Sequence, residues 1–470
     1  MPKTKIVCTI GPSSREEPVL REMIRAGMSV ARINFSHGEH EEHGRNIALL
    51  RRLAGEENRL LAIIADLQGP KFRIGPIEDG QVLLESGKTI TLTSRAVPGH
   101  PQEVNLPHAE LIASMRPGNH ILLDDGLLEL EVMQVRGEDV ECKVVTGGAL
   151  KPHKGVSLIG GDLRLPAVTD KDRQDLAFAI GQGIDYIAQS FVRSPEDILT
   201  LRRAMADLGT SLPIIAKVEK AEALDNFDDI LTISNGIMVA RGDLGIETPL
   251  AKVPIHQKHL ILKSNLAGKP VITATQMLDS MTWNVRPSRA EVSDVVNAVL
   301  DGTGAVMLSG ETAVGKDPVN VVRTMARITE VAEEEFPYEF WVQEAARLRA
   351  DTAMDAISQA ANEIAQELGA AAIITPTRTG HTPRLIARYR PSPPIFATTP
   401  NEETCRGLAL VWGVQAHLIA HCQNTDDIVR LSIEKATAAL GLQAGAVVVI
   451  TAGVPFGEHI GTNMVQVRTI

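Results

Sequence analysis

Short runs dense in Val, Ile, Leu and Ala recur along the chain, each closing on polar or charged residues: KIVCTIG, SVARINFS, LLAIIADLQ, IDYIAQSF, PIIAKVE, GIMVARGD, PVITATQ and AVMLSGE. The runs are continuous rather than alternating, so each reads as a strand buried on both faces, with helical stretches between them. Strands joined in that way form a parallel sheet. About eight such units predict a closed (β/α)8 barrel, with an open doubly wound sheet as the alternative. The run ends favour the barrel. Arg32 with Asn34, Asp66, Gln189 with Ser190, Lys217 with Glu219, Asp243, Thr275 with Gln276, and Ser309 with Glu311 all fall where a strand stops. A barrel gathers such residues at its C-terminal mouth, where active sites of this architecture lie.

Between LLAIIADLQ and IDYIAQSF the period changes. VLLESGKTITLTS, HILLDDGLLELEVMQV and DVECKVVTGG alternate and are punctuated by Gly and Asp-Gly turns, the pattern of an all-β insert leaving the barrel after its third strand. Placed there, the insert overhangs the mouth as a lid. Beyond EEEFPYEFW, the runs AAIIT, PIFATT, AHLIA, AVVVITAG and MVQVRTI alternate with helices such as AMDAISQAANEIAQEL, which predicts a separate α/β unit. The expected division is 1–68 and 164–345 for the two parts of the barrel, 69–163 for the lid and 346–470 for a C-terminal α/β regulatory unit. In the last of these, TPTRTGHT lies between a strand and a helix and gathers Thr375, Thr377, Thr379, Gly380 and Thr382 into a candidate phosphate cradle. Hydroxyls also cap helices for purely structural reasons.

Length and composition narrow the function classes. A chain of 470 residues exceeds one core at about 150 residues per domain. A formal charge of −11 argues against a nucleic-acid surface, and 3% aromatic residues leave little for base stacking. No apolar run approaches the roughly 18 residues that span a bilayer, which argues against a membrane protein. The segment MPKTKIVCTIGPSS meets a Gly-Pro turn at once, so a strand at the start of the mature chain is expected rather than a signal peptide. Cys8, Cys142, Cys405 and Cys422 lack metal-ligand spacing and are expected as reduced thiols of a cytoplasmic protein.

Candidate chemistry centres on IIAKVEK and GIMVARGDLG. Lys217 and Glu219, two apart on a strand, share a face, and Asp243 follows the next run. If the two strands are neighbours, about 4.8 Å apart, two carboxylates and one ammonium surround a point suited to a divalent cation holding an oxyanion. The plain alternative is a surface salt-bridge cluster.

The motifs TKIVCTIGPSS, ARINFSHG, DNFDDI, GIMVARGDLG, ATQMLDSM and MLSGETA, in that order, resemble those of the pyruvate kinase family over essentially the whole chain. The resemblance implies transfer of the phosphoryl group of phosphoenolpyruvate to ADP, giving pyruvate and ATP in glycolysis. It further implies Mg²⁺ or Mn²⁺, a homotetramer, and allosteric control by a phosphorylated effector at the threonine loop. Arg32, Lys217 and Thr275 match catalytic positions, and Lys217 would stabilise the transition state. Gly242, Asp243 and Thr275, with Arg32 and Lys217, match positions that hold the substrate, and Glu219 and Asp243 match the Mg²⁺ ligands. Asn34, Ser36, His37, Arg73 and Lys154 match nucleotide positions, although His37 alone would read as a turn residue before Gly38. Arg32 and Arg73 can fork phosphate oxygens. Thr275 is too weak an acid to protonate an enolate alone, so water is its expected partner. Asp124 and Asp125 read locally as a hairpin turn, and the resemblance brings one of them toward the site on closure.

Several positions depart from the common pattern. In many family members the segment after the third strand reads Asp-Thr-Lys-Gly-Pro-Glu, and the site needs K⁺. Here it reads Asp66-Leu67-Gln68-Gly69-Pro70-Lys71. Asn34, Ser36 and Asp66 keep K⁺-ligand positions, while Leu67 brings only a carbonyl. Lys71 is expected to bring an ammonium near the phosphoryl site and so supply the unit charge that the ion otherwise provides, an interaction of about 4 kcal/mol at about 4 Å and an effective dielectric of about 20. K⁺-independent activity is therefore expected. Val156-Ser157-Leu158-Ile159-Gly160 lacks the family's hinge proline, and Pro287-Ser288-Arg289-Ala290-Glu291 keeps an N-capping hydroxyl. Met277 and Met281 are expected to pack rather than ligate. The rival readings are a metal-dependent aldolase acting through a pyruvate enolate and a non-catalytic sugar-phosphate sensor. Arg73 and Lys154 argue against the aldolase, and a Schiff base on Lys217 is disfavoured because two carboxylates would hold it protonated.

Overall fold

The computed structural model describes residues 2–124, 126–159, 166–346, 352–422, 424–453 and 461–470. Asp125 and Gly160 lie outside the described residues. Eight parallel strands close into a barrel: β1 (Lys5–Thr9), β2 (Val30–Asn34), β3 (Ala62–Asp66), β4 (Tyr186–Gln189), β5 (Ile214–Val218), β6 (Gly236–Ala240), β7 (Val271–Ala274) and β8 (Ala305–Leu308). Each pairs with its neighbour in sequence, and β8 returns to β1 with Lys5 opposite Ala305. Every residue of β3, β5 and β6 is buried, which is why these strands read as continuous apolar runs.

The two faces of each strand serve different cores. Val7, Val30, Ala62, Ile64, Ile215, Met238, Ile272 and Ala305 pack together in the barrel interior. Ile6, Ala31, Ile63, Ile214, Ala216, Val218 and Val239 pack outward with the surrounding helices. The strand period of two then aims the polar ends. Following Ile215, Lys217 and Glu219 continue on the inward face, as Asp66 follows Ile64 and Arg32 follows Val30.

The insert has its own core, including Ile74, Leu92, Leu111, Ile121, Leu130 and Val140. Its seven-stranded sheet runs in the order Phe72–Arg73, Gly155–Ile159, His120–Leu123, Leu128–Arg136, Asp139–Thr146, Thr89–Thr93 and Glu103–Asn105. Pairing of Arg73 with Gly155 sets the outgoing and returning chains side by side. The insert is built of sheet as expected, with a short α-helix added. A helix, Ala109–Ser114, buries Leu111 and Ile112 in the insert core, and Thr89–Thr93 pairs in parallel with Glu103–Asn105. Six residues are too few to form a stable helix alone, so tertiary burial rather than local pattern decides this element.

The C-terminal sheet contains β9 (Ala372–Pro376), β10 (Ile395–Thr399), β11 (Val414–Leu418), β12 (Val447–Ala452) and β13 (Met464–Thr469), in the order β11-β10-β9-β12-β13. All pairs are parallel except β12 with β13. This unit meets the barrel at the start of β4, opposite the polar strand ends. Asp185 there accepts Arg406 Nε at 2.9 Å, Arg51 Nη2 at 2.7 Å and the Ile63 amide at 2.8 Å. Asp185→Ala strands that amide and removes one partner from both guanidinium groups. A loss of about 2 kcal/mol is expected, below the usual cost for a buried pair because both arginines remain partly solvated. Urea unfolding of the variant measures it, and an unchanged midpoint would contradict the role given to Asp185.

Smaller expectations also resolve. Ser288 Oγ accepts the Glu291 amide while Glu291 accepts the Ser288 amide, closing the capping box that begins the helix Arg289–Leu300. Met277 and Met281 are buried. The four cysteines are free and buried, with burial raising the Cys142 and Cys405 thiols to about 12. Among the described residues, no helix is long and apolar enough to cross a membrane.

Candidate active site

Lys217 lies at the centre of a closed set of contacts inside the barrel mouth. Its Nζ lies 2.9 Å from Glu219 Oε1 and 3.2 Å from Asp66 Oδ1, and donates to Ser190 Oγ at 2.7 Å. Arg32 Nε donates to the other Asp66 oxygen at 2.6 Å, and Arg32 Nη1 donates to Thr9 Oγ1 at 3.0 Å. Strands β1, β2, β3 and β5, with the loop after β4, thus aim side chains at one region. Lys217, Glu219 and Asp66 are 9%, 1% and 1% exposed, so this is not a solvated surface cluster.

Burial opposes charge on all three groups, and their mutual contacts decide the outcome. For Lys217, burial works against the ammonium, but Asp66 and Glu219 outweigh it and raise its pKa. Asp66 is pushed up by burial and pulled below the usual carboxylate range by Arg32 and Lys217. For Glu219, burial pushes the carboxyl upward, Lys217 pulls it down, and Asp243 adds to the upward push, leaving a net rise. Two carboxylates therefore crowd each other beside one lysine. Glu219 Oε2 also accepts the Phe191 amide at 2.8 Å, which fixes its orientation.

The positions expected to hold substrate form a second group. Thr275 Oγ1 accepts the Gly242 amide at 2.8 Å and donates to the Ala274 carbonyl at 2.6 Å. Asp243 lies three residues beyond the end of β6 and, with Lys71, Phe191, Arg193, Lys220 and Glu247, lines a cleft between barrel and insert. That cleft encloses about 1210 Å³ of space open to solvent and is walled on the insert side by Gly155–Ile159.

The remaining predicted residues fall in three places. Asn34 pairs with Asp66 across β2 and β3, and its Oδ1 accepts the Ser36 amide at 3.1 Å. Partial burial and then the charges of Arg73, Lys71 and Arg32 hold His37 below its ordinary pKa. Arg73 Nη1 donates to the His153 carbonyl at 2.8 Å. Lys154 is engaged by Asp124 at 2.7 Å, so these two insert residues meet each other. In the C-terminal loop, Gly380 has φ 76°, and its amide donates to Thr377 Oγ1 at 2.9 Å. Thr375 and Thr382 are buried, and Thr382 shares a hydrogen bond with Thr462, so neither hydroxyl faces solvent.

Three further residues at the mouth had no role in the sequence reading. Ser190 bridges Lys217 and the Leu67 carbonyl, to which it donates at 2.7 Å. Glu311, raised by burial, accepts the Leu278 and Ser309 amides and ties the end of β8 to the loop after β7. Arg241 reaches that same loop by donating to the Thr275 carbonyl at 2.7 Å. Their positions at strand ends were legible, but their partners were not.

A hard divalent cation fits the donor set. Glu219 and Asp243 offer oxygen ligands, and the upward push of Asp243 on Glu219 is the repulsion that such an ion removes. Mg²⁺ is commonly held by one or two carboxylates with substrate oxygens completing its shell. Of the positions expected for a monovalent ion, Asp66 accepts hydrogen bonds from Arg32 and Lys217, and the Leu67 carbonyl accepts one from Ser190.

Comparison with known proteins gives concordant results. The family description "Pyruvate kinase, barrel domain" matches residues 1–322, and "Pyruvate kinase, alpha/beta domain" matches residues 355–468. Pyruvate kinase of Geobacillus stearothermophilus is 47% identical over 471 residues, covering 100% of this chain and 80% of that protein. The Clostridium acetobutylicum enzyme is 42% identical over 472 residues, with 100% of both chains covered. The crystal structure of a pyruvate kinase from Cryptosporidium parvum superposes with a TM-score of 0.93 at 36% identity, covering 100% of this chain and 96% of that one.

Proposed function

The chain belongs to the pyruvate kinase family, and from that premise we propose how its own residues carry the reaction. It is a phosphotransferase whose substrates are phosphoenolpyruvate and ADP and whose products are pyruvate and ATP. The observation that carries the assignment of roles is the buried contact set of Lys217 with Asp66, Glu219 and Ser190 beside Arg32.

During transfer, the bond from phosphorus to the enol oxygen breaks and a bond to a terminal phosphate oxygen of ADP forms. Negative charge spreads over the phosphoryl oxygens and grows on the enol oxygen. Lys217 stays protonated throughout, because Asp66 and Glu219 raise its pKa, and it meets that charge as a fixed ammonium. Arg32, oriented by Asp66 and Thr9, presents its remaining guanidinium edge to the phosphoryl group. Glu219 and Asp243 would hold Mg²⁺, which would supply divalent charge against the negative oxygens of the substrate. Gly242 and Thr275 hold the substrate, and a water near Thr275 delivers the proton to the enolate. Asn34, Ser36, His37, Arg73 and Lys154 take the nucleotide, with insert movement releasing Lys154 from Asp124.

The raised Lys217 ammonium gives no support to Schiff-base chemistry. Neither the aldolase nor the sensor reading finds support among the relatives. If Asp243 is a metal ligand, Asp243→Asn raises the Mg²⁺ concentration for half-maximal rate by at least about tenfold, by analogy with losses on disturbing metal-site partners. An unchanged Mg²⁺ dependence would remove Asp243 from that role.

The family uses Mg²⁺ and K⁺, and this chain is proposed to turn over without K⁺. Lys71, whose charge acts on His37 together with those of Arg73 and Arg32, supports this reading. A phosphorylated effector is proposed for the loop carrying Thr377, Thr379 and Gly380. If sugar phosphates and AMP all leave the phosphoenolpyruvate saturation curve in place, that loop has no such role. A cytoplasmic homotetramer completes the proposal, and a sedimentation mass below four chains would count against the tetramer.

A further inference from the structure

Thr275 has φ 66° and Gln276 has φ 54°. Two consecutive non-glycine residues are thus in the left-handed region, and the first is β-branched, for which this conformation is a true outlier. Such backbone persists only where its surroundings over-determine it. Arg241, 12% exposed at its side chain, supplies the surroundings. Its Nε donates to the Ala274 carbonyl at 3.2 Å and its Nη2 to the Thr275 carbonyl at 2.7 Å, so one guanidinium spans the peptide unit that enters the strained pair. Nη2 also contacts Met277 Sδ at 2.8 Å. From the other side, Nη1 donates to Asp294 Oδ1 at 2.7 Å and Gln257 Oε1 at 3.2 Å, anchoring the group to the helices Arg289–Leu300 and Val253–Leu266.

The consequence reaches the substrate side. Arg241 immediately precedes Gly242, whose amide donates to Thr275 Oγ1, and that hydroxyl donates to the same Ala274 carbonyl that Arg241 grips. Arg241, Gly242 and Thr275 therefore form a closed loop of hydrogen bonds joining the ends of β6 and β7. We propose that Arg241 is a positioning residue for phosphoryl transfer, holding the strained Thr275 turn so that the Thr275 hydroxyl and the Gly242 backbone keep the orientation the substrate requires. This rests on the reading that Gly242 and Thr275 hold the substrate. The guanidinium shape matters here. A lysine keeps the charge and can meet Asp294, but a single ammonium does not reproduce the fork across successive carbonyls.

Steady-state kinetics on the full chain test this with Arg241→Met, Arg241→Lys, Asp294→Asn, Thr275→Ala and the double variant Arg241→Met with Thr275→Ala. Arg241→Met is expected to lower kcat by about tenfold or more, with the KM for ADP within about twofold of wild type. Arg241→Lys should recover little of that loss, while Asp294→Asn, which keeps an acceptor for Nη1, stays within about threefold of wild type. The double variant should be no slower than Thr275→Ala within about threefold, because a residue acting through Thr275 has nothing further to lose. Multiplying losses in the double variant, or a wild-type kcat in Arg241→Met, would overturn the proposal. If Arg241→Met does not fold, the same comparison is made with Arg241→Lys. A wild-type rate and KM for phosphoenolpyruvate in Thr275→Ala would instead remove the reading on which the proposal rests.

Discussion

Lys217→Met is expected to fold and to lose at least about 10³-fold in kcat, with a much smaller change in the KM for ADP. Removing one donor aimed at developing charge typically costs about 10²–10³ in rate, and here the donor is a full, buried ammonium. Folding survives because Asp66 keeps Arg32 and Glu219 keeps the Phe191 amide. Methionine also retains most of the stem volume. Circular dichroism with a coupled assay of pyruvate formation measures both properties. A variant that folds and turns over within tenfold of wild type would remove Lys217 from the transition state.

The second large effect concerns Lys71. Replacing it with glutamate, the residue common in the family, reverses a charge that acts on His37 together with those of Arg73 and Arg32. At about 4 kcal/mol per unit charge near 4 Å and an effective dielectric of about 20, a loss of about 10²-fold or more is expected in tetramethylammonium buffer. Potassium should recover much of that loss in Lys71→Glu while leaving wild type little changed. An identical response of the two proteins to K⁺ would show that Lys71 does not stand in for the ion.

Much of this architecture was legible because buried parallel strands leave an unmistakable pattern. The eight apolar runs named the barrel strands, and the period of two placed Lys217 and Glu219 on one face with Ile215. Asp66 was harder. Its ion pair with Lys217 joins β3 to β5 across the end of β4, a relation that appears only when the barrel curves closed. Ser190 escaped assignment for the same reason. The helix Ala109–Ser114 was missed because its stability comes from the insert core rather than from its few residues. Thr275 was singled out by resemblance, yet nothing in a Thr-Gln pair announces left-handed backbone, which β-branched residues ordinarily avoid. Arg241 was equally silent. Its role depends on carbonyls presented by a neighbouring strand, and carbonyls carry no sequence signature.

The central claim is that this barrel mouth transfers a phosphoryl group with Mg²⁺ and a built-in monovalent charge. The most direct test is ATP formation by the purified wild-type chain from phosphoenolpyruvate and ADP, in tetramethylammonium buffer with Mg²⁺ present or chelated, and again with K⁺ added. The account predicts ATP with Mg²⁺, none after chelation, and less than about a twofold increase on adding K⁺. ATP formation that persists after chelation, or that begins only when K⁺ is supplied, would contradict it.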